Sequence, residues 1–293
     1  MAPGWMAQGA GSVRKLSRRP WRSAVLLLVF LFAASPAGAL ERGLAAAQAA
    51  FDAGNFAHAA TLARKLRSAK GDALASRAEM VRGEFLSEGE ERLRRFEAGL
   101  ADARRAVARG PGVPEAHLAV AVGLGLVARR TGGIKAHFEG WGTQARHHID
   151  RALEINRDNA WAHAALGGWH LEIVHEGGLI GAAIYGASVH AGIEAYEHAL
   201  VLDPDNVSVA WQCGFQLAGL GGEANRTRAE ELLDRLLARE PRTALEGILR
   251  NSALPLKEAL HRDDRAEIAR LVAAGLGRRA VPAASGVPVS GKR

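Results

Sequence analysis

The chain of 293 residues is 48% hydrophobic but only 5% aromatic, a balance that favours closely packed helices over sheets and supplies enough apolar mass for a sizeable core. Its formal charge of +7 suggests a nucleic-acid partner until the charges are located. Residues 1–39 hold five basic groups, residues 278–293 hold four, and neither segment has an acid; residues 40–277 carry 29 basic against 31 acidic side chains, so no basic stripe is left along the body to neutralise phosphates.

Residues 1–39 read as an export signal. A basic region ends at Arg22, an apolar core runs from Ala24 to Ala34, and Ala37 and Ala39 occupy the −3 and −1 positions of a small-residue cleavage site. The expectation is a mature chain starting at Leu40 in the periplasm. An uncleaved anchor in the inner membrane, with the body facing the periplasm, is the alternative, although the core is only about half of the ~20 residues that cross a bilayer comfortably. Ser17-Arg18-Arg19-Pro20-Trp21 resembles a twin-arginine motif and leaves the export route open. A single cysteine, Cys213, excludes an internal disulfide, so the body must be held by packing.

From Leu40 to residue 243 the chain reads as successive helical hairpins. Two octapeptides, ALEINRDN (Ala152–Asn159) and ALVLDPDN (Ala199–Asn206), each lead into a small-residue helix, AWAHAALG from Ala160 and VSVAWQCG from Val207, 47 residues apart. A 34-residue frame gives units starting near Leu40, Leu74, Pro114, Ala160 and Val207. Small residues fall where paired helices touch, Gly167 and Gly192 in the fourth unit and Gly214 and Ala229 in the fifth. The second unit fits worst, its first helix showing only a general periodicity. This pattern resembles the tetratricopeptide (TPR) repeat and implies an all-α, right-handed α-solenoid of about five hairpins.

The third and fourth units are longer than the frame, with the excess near 129–140 and 175–187, between the two helices of each unit. Insertions at one point of successive repeats emerge on one face, often the binding face. The second, HEGGLIGAAIYGA, is too apolar for a free loop; it packs back on the solenoid or meets another chain, a homo-oligomer included. Two further helical stretches, roughly 244–260 and 263–276, suit a terminal cap, with Asp263 or Asp264 able to start the latter. Residues 277–293, rich in Gly, Pro, Ser and Val without period, read as a disordered tail.

The stretch from Ala145 to Val174, with Leu166-Gly167-Gly168-Trp169 and the second ALVLDPDN after it, resembles the regulator of microtubule dynamics family of TPR-like proteins over residues 115–240. The exported context is also similar to the TPR-type T component of bacterial TRAP transporters. Both resemblances imply a non-catalytic helical scaffold without a cofactor.

Eight of the eleven histidines lie between His137 and His198. Zinc needs ligands that converge, whereas His170 and His175, five apart on a helix, diverge by about 140°. His117, His163 and His170 instead fall on packing positions of the frame, with a hydrogen bond expected at the polar edge. Gly186-Ala-Ser188-Val-His190 lacks the final glycine and the strand of a nucleophile elbow, and no phosphate loop, paired cysteines or calcium loop occurs. The groove positions of the last three units are Leu118, Val122 and Leu126; Trp161, Leu171 and Glu172; and Trp211 and Phe215. They are apolar and aromatic, so the expected occupant is a protein or peptide partner with apolar side chains, or a lipophilic small molecule. The competing expectation is that the 175–187 insertion folds in and fills this face as core.

Overall fold

A computed structural model describes residues 36–277. The basic and apolar parts of the expected export signal, and the expected tail beyond Gly277, lie outside the described residues. The first helix, α1 (Pro36–Asp52), runs through Ala37 and Ala39, so cleavage after Ala39 would remove its first turn.

The described residues form thirteen helices and no strand. They pair in order: α1 with α2 (Phe56–Lys65), α3 (Ala69–Leu86) with α4 (Gly89–Arg109), and α5 (Pro114–Thr131) with α7 (Trp141–Ile155), the short α6 (Gly133–Phe138) lying between the last two. Next come α8 (Ala160–Tyr185) with α9 (Val189–Leu202), α10 (Val207–Leu220) with α11 (Glu223–Leu237), and α12 (Ala244–His261) with α13 (Arg265–Gly275). The repeated octapeptide explains two of the starts. Its final asparagine caps the next helix: the Asn159 side chain accepts from the Ala162 N–H and that of Asn206 from the Val209 N–H, each at 3.1 Å, which satisfies an amide that the helix itself leaves unpaired. Asp264 does the same for α13 through the Glu267 N–H.

Within a hairpin the spacing is set by small residues. A Cβ on Gly167 would stand 2.8 Å from the Gly192 carbonyl oxygen and 2.6 Å from the Tyr196 ring, so only glycine lets α8 and α9 approach this closely. The second unit departs from the frame. α3 begins at Ala69, not near Leu74, and its 18 residues with the 21 of α4 make this unit long as well. Gly99 on α4 faces the Ser76 carbonyl, which makes Ser76 the close-contact position of a frame starting at Ala69.

The hairpins curl until the last meets the first. α12 packs on α10 and α11 and returns to α1, where a Cβ on Gly54 would touch that of Ala244. The first helices of the units face one another across the inside of this turn. Arg77 of α3 lies 4.5 Å above the Phe51 ring of α1 and 5.7 Å from the Trp161 ring of α8, and Phe85 of α3 meets Trp211 of α10 edge-on at 5.5 Å.

Neither insertion is a loop. Residues 133–138 are helical, and residues 175–185 prolong α8 across a break at Gly178, whose φ of 55° favours glycine. The prolonged end packs back through Gly181, Tyr185 and Ala187, yet Leu179, Ile180 and Ile184 face outward. The insertion therefore does not fill the inner face. Trp161 stands at the opposite end of α8, about 25 Å from Gly178 at the rise of a regular helix.

Candidate functional site

Five of the eight side chains expected to line an open groove are core. Leu118 packs with Ala152 and Ala162, Leu126 joins the cluster around Leu124 and Val127, and Leu171 lies against Gly192. Trp211 is enclosed by Phe85, by Phe215 at 4.4 Å and by Ser252 of α12, whose Oγ accepts its indole N–H at 2.8 Å. Phe215 is covered by Gly275 at the end of α13. The open apolar groove is thus corrected: the tight turn brings α3, α12 and α13 onto Trp211 and Phe215, while Leu118 and Leu171 are buried against α7, α8 and α9.

Glu172 belongs to a buried ionic network inside the same turn. Arg129, with its side chain 8% exposed, donates from Nε to Glu172 Oε1 at 2.9 Å and from Nη1 to the Leu276 carbonyl at 3.3 Å; Glu84 Oε1 stands 3.7 Å away. Gln216 donates to Glu172 Oε2 and to the Gly168 carbonyl, both at 3.3 Å, while its own oxygen accepts from the Tyr196 hydroxyl at 2.7 Å. Burial pushes Glu84 up to about 7, against the pull of Arg129. These are the terms of a structural clamp, three units and the C-terminal helix tied by one guanidinium.

Val122 and Trp161 are the two predicted groove residues that remain exposed, at 43% and 45%. Between α1 and α8 stands Arg77, also exposed. Desolvation lowers the pKa of its guanidinium against the more distant pull of Asp52, and among the described residues no carboxylate lies within ion-pair reach of it. With the second unit starting at Ala69, Arg77 occupies the groove position that Val122 holds in the third. The displaced frame concealed it. A guanidinium without a paired carboxylate, beside an exposed indole, suits a carboxylate next to an apolar group.

The histidines do not gather. His117 is buried and bonds the Pro111 carbonyl and the His148 ring, each at 2.9 Å, while His163 bonds the Arg157 carbonyl and stacks on His198. His170 is buried and accepts from the Ser188 N–H. Desolvation, with the adjoining His117 ring, brings His148 down to about 4. Among the described residues no three potential ligands converge on a metal position. The Cys213 thiol is buried and pushed up to about 12 by that burial.

A second set of charges escaped the sequence pattern. Asp72, Glu79 and Asp102 are buried in the second hairpin. Arg64 joins Asp102 at 2.7 Å and Glu79 at 2.9 Å, Arg109 meets Asp72 at 2.6 Å, Arg82 and Arg95 hold the other Glu79 oxygen, and Arg105 pairs with Asp102. Because the acids occupy inward positions, the apolar period of α3 is broken, which is why this unit looked poor.

Residues 44–244, well over half of the chain, match the family described as Regulator of microtubule dynamics protein 1-3. The chain belongs to this family. No curated protein matches it. Among solved structures it is similar to a thermophilic TPR protein of Thermus thermophilus, with a TM-score of 0.52 and 15% identity over 73% of this chain and 98% of that one, a likeness that shows the fold. In this member of the regulator of microtubule dynamics family the Leu166–Trp169 motif is a packing device. Gly167 gives the close approach to α9, and Trp169 is buried with its indole N–H donated to the Gly142 carbonyl at 2.8 Å, which pins α8 to the start of α7.

Proposed function

We propose that the chain is an exported, non-catalytic interaction scaffold of the cell envelope, which takes a protein partner at the mouth formed by Trp161, Arg77 and Val122. A TPR-like helical fold of this family suggests protein interaction in general. The observation that supports this particular surface is the half-exposed Trp161 with the unpaired Arg77 guanidinium beside it. A peptide carrying an acidic side chain or C-terminal carboxylate next to an apolar residue complements both groups. The basic and apolar pattern of residues 1–39 supports export. An accessory of a transport system holding a lipophilic molecule is the other reading of the sequence, but it needs a container, and the burial of Leu171, Trp211 and Phe215 removes the apolar groove that supplied one.

The test is site-specific photo-crosslinking in cells, with a photoreactive residue at Val122 or at Trp161 and a control at Val201, which is exposed on α9. One protein adduct shared by the first two and absent from the control supports the proposal. Arg77→Ala should abolish that adduct while leaving the melting temperature unchanged. No adduct, or the same adduct from all three positions, overturns it. Mass spectrometry of the envelope fraction tests export separately, through a mature chain starting at Leu40.

A further inference from the structure

One donor in the Arg129 network faces two acceptors, and one of the two titrates. Arg129 Nη1 donates to the Leu276 carbonyl at 3.3 Å and stands 3.7 Å from Glu84 Oε1, while Nε is committed to Glu172 Oε1 at 2.9 Å. Arg92 of α4 also attracts Glu84, but its Nε is taken up by the Gly83 and Ser87 carbonyls at 3.0 and 2.9 Å. The Tyr196 hydroxyl of α9 faces Arg129 and Glu172 and donates to Gln216. Burial, together with the charge of Glu172, raises the Glu84 carboxyl to about 7 against both guanidinium groups. Its side chain is 16% exposed, so the proton exchanges with solvent. A neutral Glu84 competes weakly for Nη1, whereas an ionised one accepts roughly twice as strongly as a carbonyl does.

The other acceptor holds α13 in place. This helix packs on α12 and α10, and its attachment is concentrated at its far end: residues 265–270 are largely exposed, whereas Val272, Leu276 and Gly277 are buried. At its near end Asp263 joins it to α12 with a φ of 51°, in the left-handed region, and is anchored to α11 by Arg226 at 2.8 Å. Beneath it lies Phe215 of α10, whose ring would stand 2.3 Å from a Cβ on Gly275. We infer that α13 is a hinged cover over Phe215 and that Arg129 is its latch, closed while Nη1 serves the Leu276 carbonyl and released when Nη1 turns to an ionised Glu84. The closed form holds a proton on Glu84 that the open form, with this carboxyl back in water, gives up, so rising pH favours opening. Opening bares an aromatic ring at a groove position of the fifth unit. The device does not depend on what binds beside Trp161.

Hydrogen exchange of the full chain, read by mass spectrometry and corrected for the intrinsic rate at each pH, tests the latch. Protection of the amides in 268–276 should fall about tenfold between pH 6 and pH 8 and then level off, as a proton held with a pKa of about 7 in the closed form alone requires. Protection of 162–171 in α8 should stay constant. Glu84→Gln, which cannot ionise, should show no such fall in 268–276. Wild-type protection of α13 that is the same at both pH values overturns the inference, as does a fall that continues without levelling off, whether or not the variant folds. A fall that Glu84→Gln shares assigns the titration to another group and overturns it too. So does a loss spread equally over α8 and α13, which is unfolding of the whole chain.

Discussion

The Arg129 guanidinium donates to the Leu276 carbonyl across 147 positions of sequence. Arg129 lies in the last turn of the first helix of the third unit and Leu276 follows the last helix, so this contact ties the end of α13 to the third unit. The same guanidinium neutralises Glu172 and faces Glu84. Removing it leaves two carboxylates buried against each other, and Arg129→Met should lower the unfolding free energy by about 3–5 kcal/mol in urea titrations. Substitution of the exposed Arg157 should change it by about 0.5 kcal/mol or less.

The titration of Glu84 and His148 should tilt stability in opposite directions. Glu84 is raised to about 7, so between the ordinary carboxylate range and pH 7 the folded protein holds a proton that the unfolded chain has released. Its contribution is fully present at low pH and is lost as pH rises towards 7. His148 is lowered to about 4, so it opposes folding as pH falls from the ordinary imidazole range. Glu84→Gln should therefore leave a stability that rises from pH 5 to 7, and His148→Gln one that falls, the Glu84 effect amounting to at most about 3 kcal/mol. Urea midpoints across this range read both slopes.

Gly167→Ala should destabilise by about 1–3 kcal/mol, because the new methyl meets a backbone oxygen and a ring with no room to retreat. Differential scanning calorimetry would show a lowered melting temperature. An unchanged value would contradict the close approach of α8 and α9.

Leu171 and Leu179 occupy one helix and should behave as opposites. Leu171→Ala empties a site that is 1% exposed and should cost about 2–5 kcal/mol. Leu179→Ser removes a side chain that is 91% exposed and should stay within about 0.5 kcal/mol, with unchanged circular dichroism.

Much of the fold was legible because its signals are local. Helices α5, α8 and α10 start where Pro114, Ala160 and Val207 placed them, since a proline and two capping asparagines mark those points in the chain itself. The second unit was misplaced by five residues, because Asp72, Glu79 and Asp102 sit inward and their compensation by Arg64 and Arg109 is visible only in three dimensions. The candidate site was least legible. Frame positions tell which way Trp211 and Phe215 point, but not how tightly the turn closes, and that curvature decides between groove and core. Arg77 was hidden by the shifted frame, and the composition of 175–187 left open whether that segment packs back on the solenoid or meets another chain, because burial of its two faces is set by tertiary packing.

The contact of Gly54 with Ala244 carries a further implication. An open array of repeats grows or shrinks by one unit at modest cost, because each unit answers only to its neighbours. Here the last hairpin answers to the first as well, so the number of units is fixed by circumference, as staves are in a cask. Excising one hairpin would leave both ends unmatched, and loosening either end would be felt at once by the other.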